Sequence, residues 1–193
     1  MGKKVITTKG RVSVLKKRWY TLEAPAMFNA VQFGETVAAE PEMLVGRGVR
    51  VNLSTIMRAG KRQNVEVHLK VVELKGNVCH TEFVGFEMFP PYLKRLVKRA
   101  KQRVDDSFIV TCKDGVAVRL KPLLLVKSST QHGVMSALRA KSREHFARIA
   151  AEMTYPDLVH KILFGEGVRD LKGELRKVFP VGVVEVRALV KVK

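Results

Sequence analysis

Two strand–turn–strand patterns constrain the fold of this chain more than any other feature of its sequence. Apolar residues alternate with polar ones over 65–71, and a Lys-Gly-Asn turn leads into a second strand pattern over 78–86. The same arrangement recurs around an Asp-Gly turn, between 108–112 and 116–126. Period-two alternation is typical of half-buried strands, and short turns of this kind join antiparallel neighbours. A further strand is predicted over 43–56, where two glycines indicate a bulge or bend.

After residue 130 the apolar period changes to about 3.6, which indicates helices. A long helix is predicted from the residues that recur on one side: Met135, Leu138, Ser142, Phe146, Ile149 and Met153. A short helix is predicted to begin at Pro156, because proline is favoured in a first helical turn. Another helix is predicted over 166–179, with an inward side formed by Val168, Leu171, Leu175 and Val178.

Alternation returns at the end of the chain, over 184–192, and this last strand must rejoin the sheet. The sequence therefore predicts a basic N-terminal arm over 1–18 and a single α+β domain over 19–193. In that domain a curled, barrel-like antiparallel sheet occupies 19–127, together with one basic helix, and other helices pack beside it. The helices follow over 128–180, and a returning strand covers 181–193.

Charge is the main guide to function. The 193 residues include 36 Lys and Arg against 18 Asp and Glu, a net charge of +18. A chain this basic repels itself unless a polyanion binds it; nucleic acid is the commonest such partner and an anionic membrane surface the next. No apolar run approaches the roughly 20 residues of a membrane span, and the first residues lack the apolar core of a secretory signal. We expect a cytoplasmic protein that binds nucleic acid and no membrane.

The predicted arm carries seven cations and no acid: Lys3, Lys4, Lys9, Arg11, Lys16, Lys17 and Arg18. We interpret it as a segment that binds RNA; a solvated tail is the alternative. Trp19 and Tyr20 follow directly and are predicted to begin the first strand, one ring packed inside and the other near the rim. Stacking of Trp19 on a base is an open alternative.

A helix predicted over 92–104 has a narrow apolar side, and its remaining surface holds six cations and no acid: Lys94, Arg95, Lys98, Arg99, Lys101 and Arg103. Like charges four residues apart destabilise a helix by a few tenths of a kcal/mol each. Phosphates of a bound RNA would offset this repulsion. These six residues are therefore predicted RNA contacts, and Arg47 completes the predicted set; a solvated charged face is the alternative.

The sequence gives no positive sign of an enzyme. Phosphate-binding glycine loops and serine-nucleophile motifs are missing, and the five histidines have no metal-ligand spacing. Asp105-Asp106 is interpreted as a turn signal with charge balance rather than a Mg²⁺ site. Cys79 and Cys112 are predicted to be small buried residues, since a zinc site with His80 would require the fold to bring all three together. We expect no cofactor, no metal and no small-molecule substrate.

Six short segments, in order along the chain, resemble the ribosomal protein S-three-a family (also called e-S-one), which belongs to the small subunit of archaeal and eukaryotic ribosomes. They are KRWY with APAMF near the start, Gly46-Arg47, CHTEFVG from Cys79, LVKR from Leu96, TCKDG from Thr111 with Arg119-Leu120, and Val178-Phe179-Pro180. Together they span about 16–193, and the chain length resembles archaeal members. Two departures are Val116, where the family often has Tyr, and a single Lys within 126–131, where it is more basic.

The resemblance implies a structural protein with a curled β-barrel and adjacent helices. It implies binding to ribosomal RNA at the platform of the small subunit, near the 3′ end of that RNA and the messenger RNA exit, beside proteins that include the S-eleven protein. Base-stacking and zinc-finger modules are missing from the sequence, which favours recognition of RNA shape and phosphates. Two alternatives stay open: an RNA chaperone outside the ribosome, and an RNA-processing enzyme whose site forms only on folding.

Overall fold

The structure is a computed structural model that describes residues 16–57, 62–97 and 102–192. Nine strands in this part of the chain form one sheet: β1 (Arg18–Glu23), β2 (Gln32–Ala38), β3 (Gly48–Asn52), β4 (Val65–Lys75), β5 (Val78–Met88), β6 (Arg103–Asp105), β7 (Phe108–Thr111), β8 (Ala117–Val126) and β9 (Val181–Lys191). Five α-helices accompany it: α1 (Leu53–Met57), α2 (Pro90–Leu96), α3 (His132–Glu152), α4 (Tyr155–Leu163) and α5 (Glu166–Arg176). Two short 3₁₀ helices cover Ala26–Phe28 and Pro41–Leu44. The predicted α+β class is confirmed.

The sheet runs in the order β2-β1-β5-β9-β8-β6, while β4 pairs with β3 and β5, and β7 pairs with β8. Both predicted hairpins are present, β4–β5 and β7–β8. Gly76 and Gly115 lie in their turns with φ of +60° and +75°, a backbone conformation that glycine adopts without steric cost. One detail differs from the prediction: β1 and β5 are parallel, so the sheet is mixed. Among the described residues the strand order also does not return to its first strand, so the sheet is open.

Two apolar cores hold the described residues together. The larger one joins the sheet to α3, α4 and α5, and Phe83, Leu120 and Phe146 are fully buried in it. The smaller one surrounds Tyr20 and Cys79, near the turn between β4 and β5. Burial of apolar area on this scale is the main favourable term in folding.

Gly85 lies where β5 pairs with β4 on one side and with β9 on the other. A Cβ atom at this position would lie 2.3 Å from the backbone oxygen of Leu189 and 3.0 Å from the Cα of Val190. Those atoms belong to the neighbouring backbone and cannot move away cheaply. Glycine is therefore required for β9 to approach β5, and this contact joins the last strand to the sheet.

The helical third of the chain agrees with its predicted pattern. In α3 the residues Leu138, Ser142, Phe146 and Ile149 are buried, and α4 includes Pro156 in its first turn. The third helix is shorter than predicted: α5 ends at Arg176, and the side chain of Val178, which was predicted to face inward, is 40% exposed. The backbone N–H groups of Val178 and Phe179 both donate to the Leu175 carbonyl, and Pro180 disfavours helical geometry in the residue before it.

The basic helix predicted over 92–104 is wrong at Val97 and at 103–104, while 98–101 lie outside the described residues. Helix α2 ends at Leu96, and Val97 is extended with ψ of 94°. Residues 103–105 form β6, which pairs with β8 and buries Val104. Pairing with a neighbouring strand and burial of that side chain outweigh the weak helical preference of the segment.

The strand predicted over 43–56 is also only partly present. Its central residues form β3, whereas Pro41–Leu44 is a 3₁₀ helix and Leu53–Met57 is α1. The Asn52 side chain accepts hydrogen bonds from the backbone N–H and the hydroxyl of Ser54, at 2.9 and 2.8 Å. Such local side-chain bonds compete with the strand ladder and favour a helix start.

Candidate nucleic-acid interface

One basic surface lies at the start of β1. Lys16, Lys17 and Arg18 are exposed there. Trp19 is 67% exposed, whereas Tyr20 is 3% exposed and packs in the smaller core. Successive strand residues point to opposite sides, which explains the contrast. The predicted split of the two rings is confirmed, and these three cations with Trp19 are called the N-terminal patch below.

A second basic surface follows the other end of β5. Lys94 and Arg95 are exposed on α2, and Arg103 is exposed on β6. The Arg95 guanidinium lies 6.0 Å from the centre of the Tyr92 ring, at the outer limit of a cation–π contact. Arg103 forms an ion pair with Asp105. These three cations are called the α2 patch.

The two patches lie at opposite ends of β5. β1 runs parallel to β5 with Thr21 beside Val78, so Arg18 lies beyond the first residue of β5. The α2 patch lies beyond its last residue, Met88. At about 3.3 Å per residue, the ten steps of β5 span about 33 Å. The described residues therefore present two separated sets of exposed cations.

Arg47 differs from the other predicted contacts, because it is half-buried and bonded within the fold. Its Nη1 donates hydrogen bonds to the Thr36 hydroxyl at 2.7 Å and to the Val37 carbonyl at 3.2 Å. These bonds join β2 to the segment that precedes β3. Arg47 as an RNA contact stays a prediction.

Seven of the predicted contacts lie outside the described residues: Lys3, Lys4, Lys9, Arg11, Lys98, Arg99 and Lys101. The structure therefore places the other half of the predicted set, in the N-terminal patch, in the α2 patch and at Arg47.

A groove of about 350 Å³ lies between α2 and the sheet and is called the α2 groove. Four apolar residues line it: Pro90, Leu93, Val97 and Leu123. Three cations line it: Lys94, Arg103 and Arg187. The groove therefore combines an apolar floor with positive charge.

The sequence analysis did not identify Arg187 as a site residue, because a β-bulge brings its side chain to the groove. Lys121 pairs with Ala188 and Pro122 with Val186, so Arg187 is the extra residue between them. Pro122 cannot donate to a strand ladder, and bulges redirect the side chain of the extra residue. The signal available in the sequence was Pro122, because a proline inside a predicted strand indicates a possible bulge.

A third basic surface was also missed. Arg50 on β3 lies beside His68 on β4, which lies beside Gly85 on β5. Arg50, His68 and Lys70 line a depression of about 380 Å³. Cross-strand register brings these residues together, and their spacing along the chain gave no hint of it.

A sequence model of the ribosomal S3Ae family matches residues 7–193. The chain belongs to this family. It is 32% identical over 165 residues to the small ribosomal subunit protein eS1 of Nanoarchaeum equitans, which covers 86% of this chain and 83% of the relative. It is 31% identical over 171 residues to the protein of the same name from Methanothrix thermoacetophila, covering 89% and 81%. With that of Saccharolobus islandicus it shares 30% identity over 170 residues, covering 88% and 82%.

In this S3Ae-family chain the two cysteines are buried, as predicted, and they belong to different cores. Burial raises the pKa of both thiols, which disfavours the thiolate that binds metals or attacks substrates. Within the described residues no three His, Cys, Asp or Glu side chains are grouped to hold a metal ion. None of the helices in the described ranges is long and apolar enough to cross a membrane.

The Asp105-Asp106 pair has a structural part in this family member. Arg143 on α3 donates two hydrogen bonds to the Asp106 carboxylate, at 2.6 and 2.7 Å. These bonds lower the pKa of Asp106. The pair therefore attaches the β6–β7 turn to α3, in agreement with the predicted turn and charge balance.

Proposed function

We propose that the protein is a structural constituent of the small ribosomal subunit and that it binds ribosomal RNA through phosphate and shape contacts. The observation that supports this most strongly is membership of the ribosomal S3Ae family over residues 7–193. The relatives named above are all small ribosomal subunit proteins. Cytoplasmic ribosomes are the expected location.

The charge distribution supports RNA as the ligand. The N-terminal patch carries three exposed cations, and among the described residues none of the three forms an ion pair. Lys94 and Arg95 of the α2 patch likewise have no ion pair with a described residue. Exposed unpaired cations attract phosphates, and binding releases the counterions that the RNA had condensed. Two patches at opposite ends of β5, a strand about 33 Å long, suit an extended, folded RNA better than a short strand.

Within the subunit, the proposed place is the platform, near the 3′ end of the ribosomal RNA and the messenger RNA exit, beside the S-eleven protein. The similarity of the six quoted segments to the S-three-a family supports this placement. Exposed cations near both ends of β5 would allow the protein to contact separate RNA elements there.

The proposal is tested by binding the purified protein to small-subunit ribosomal RNA at several salt concentrations. The logarithm of affinity should fall linearly with the logarithm of salt, and Lys16→Gln with Lys17→Gln should flatten the slope by about 1.4–1.8, at about 0.7–0.9 per lost contact. A matched control is Lys113→Gln with Arg169→Gln, which removes the same charge at two exposed positions on other elements, the β7–β8 turn and α5. Equal slopes for both double variants would refute the assignment of the N-terminal patch.

Chemical footprinting of the same complex tests the location. Protection should cluster near the 3′ end of the RNA. Protection confined to other regions would overturn the platform placement, and uniform weak protection would favour an RNA chaperone.

A further inference from the structure

We propose that the α2 groove binds one unpaired nucleotide of RNA, with the base against the apolar floor and its phosphate against the cations. This inference rests on the proposed RNA-binding function and adds a specific kind of contact to it. Phosphate and shape recognition need no pocket, whereas a groove with an apolar floor can hold a base.

Charge favours a phosphate at the rim of the groove. Lys94 and Arg187 have no ion pair with a described residue, and no acidic residue is among those that line the groove. Arg103 is partly neutralised by its ion pair with Asp105. The groove therefore retains positive charge that the fold itself does not balance.

Arg187 provides the second, independent observation. Its Nε atom is buried and has no hydrogen-bond partner among the described residues. A buried donor without a partner costs free energy, so such groups in folded proteins are normally bonded. The bulge at Arg187 turns this side chain towards the groove, where a bound phosphate would lie close to its guanidinium.

Glu185 is an acid on β9, the strand that carries Arg187, and it pairs with Leu123 of the groove lining. It lines a neighbouring depression with Arg62 and Tyr92 rather than the groove. Burial raises the pKa of Glu185. Its carboxylate therefore opposes a phosphate in the groove less than an exposed acid would.

The size and lining of the groove select the ligand class. Its volume of about 350 Å³ is within the roughly 300–1,000 Å³ of small-ligand sites. A phosphate alone would leave the accessible apolar lining, Pro90, Leu93 and Val97, uncovered. A nucleotide supplies a flat base and a phosphate in one residue, and the base must be unpaired because pairing and stacking hide it in a duplex.

The test is methyl NMR on the full chain with labelled Leu and Val side chains. Adenosine 5′-monophosphate should shift the methyl signals of Leu93, Val97 and Leu123. Adenosine and ribose 5-phosphate, which each lack one half of the ligand, should bind at least about tenfold more weakly, since a tenfold change is about 1.4 kcal/mol. Arg187→Gln should weaken the nucleotide about tenfold, as expected for loss of a charge-assisted hydrogen bond. Arg119→Gln removes an exposed cation of β8 outside the groove and should leave affinity unchanged.

Three results would overturn the inference: no shift at the groove methyls, equal binding of ribose 5-phosphate and the nucleotide, or equal effects of the two Arg variants. Tighter binding of an acetylated Leu-Glu dipeptide than of the nucleotide would also overturn it, because the groove would then suit a protein segment. Failure of the proposed ribosomal function is seen separately, as failure of the wild-type chain to sediment with small subunits.

Discussion

Trp19 and Tyr20 are adjacent in β1 but have opposite surroundings, so truncating each ring separates folding from binding. Tyr20 is 3% exposed in the smaller core, and Trp19 is 67% exposed. Truncating a buried aromatic ring to Ala typically costs roughly 3–5 kcal/mol, because burial is lost and a cavity remains. For a domain of this size each kcal/mol lowers Tm by about 2–4 °C. Tyr20→Ala should therefore lower Tm by about 6–20 °C.

Trp19→Ala is the matched control, since it removes a larger ring from the neighbouring residue. Exposed substitutions usually change stability by less than about 0.5 kcal/mol, so its Tm should stay within about 2 °C. The assay is thermal unfolding followed by circular dichroism, without RNA. Equal Tm values for both variants would refute the assignment of Tyr20 to the core. If Trp19 stacks on a base, Trp19→Ala should also weaken RNA binding by about 1–3 kcal/mol.

Two further predictions concern the sheet and the link between β6–β7 and α3. Gly85→Ala should destabilise the fold by about 1–3 kcal/mol or more in chemical denaturation, because its Cβ would lie 2.3 Å from a backbone oxygen of β9. The control is Gly34→Ala, which should not destabilise the fold, since a Cβ there would have no atom within 4 Å. Equal effects of the two substitutions would contradict the close approach. Asp106→Asn should lower Tm at pH 7, since the Arg143 hydrogen bonds lower the pKa of Asp106 below its ordinary value of 3.8. That stabilisation is present above the ordinary value and is lost as pH falls through the lower folded value. The difference in Tm between wild type and variant should therefore shrink as pH falls below 3.8, and a difference that grows as pH falls would refute the link.

The sequence predicted the elements whose apolar period is long and uninterrupted. The β4–β5 hairpin follows from alternation around Gly76, and α3 follows from helical spacing that includes Phe146 and Ile149. The segment 92–104 fits a helix on spacing alone, and only pairing of Val104 with β8 decides against it. Local patterns carry no information on such distant partners.

The candidate site was predicted less completely than the fold. The charge of individual segments identified the cations of the N-terminal patch and of the α2 patch. Their separation depends on the parallel pairing of β1 with β5, which no local pattern encodes. The α2 groove depends on a bulge opposite Pro122, and Arg187 in the last strand gave no sign of belonging to it.

Sedimentation of a tagged chain from a lysate through a sucrose gradient tests the central claim most directly. The proposed role predicts that the protein migrates with free small subunits and with complete ribosomes. It also predicts dissociation at high salt, since phosphate contacts weaken as salt rises. A protein that remains at the top of the gradient while small subunits migrate would contradict a structural role in the ribosome.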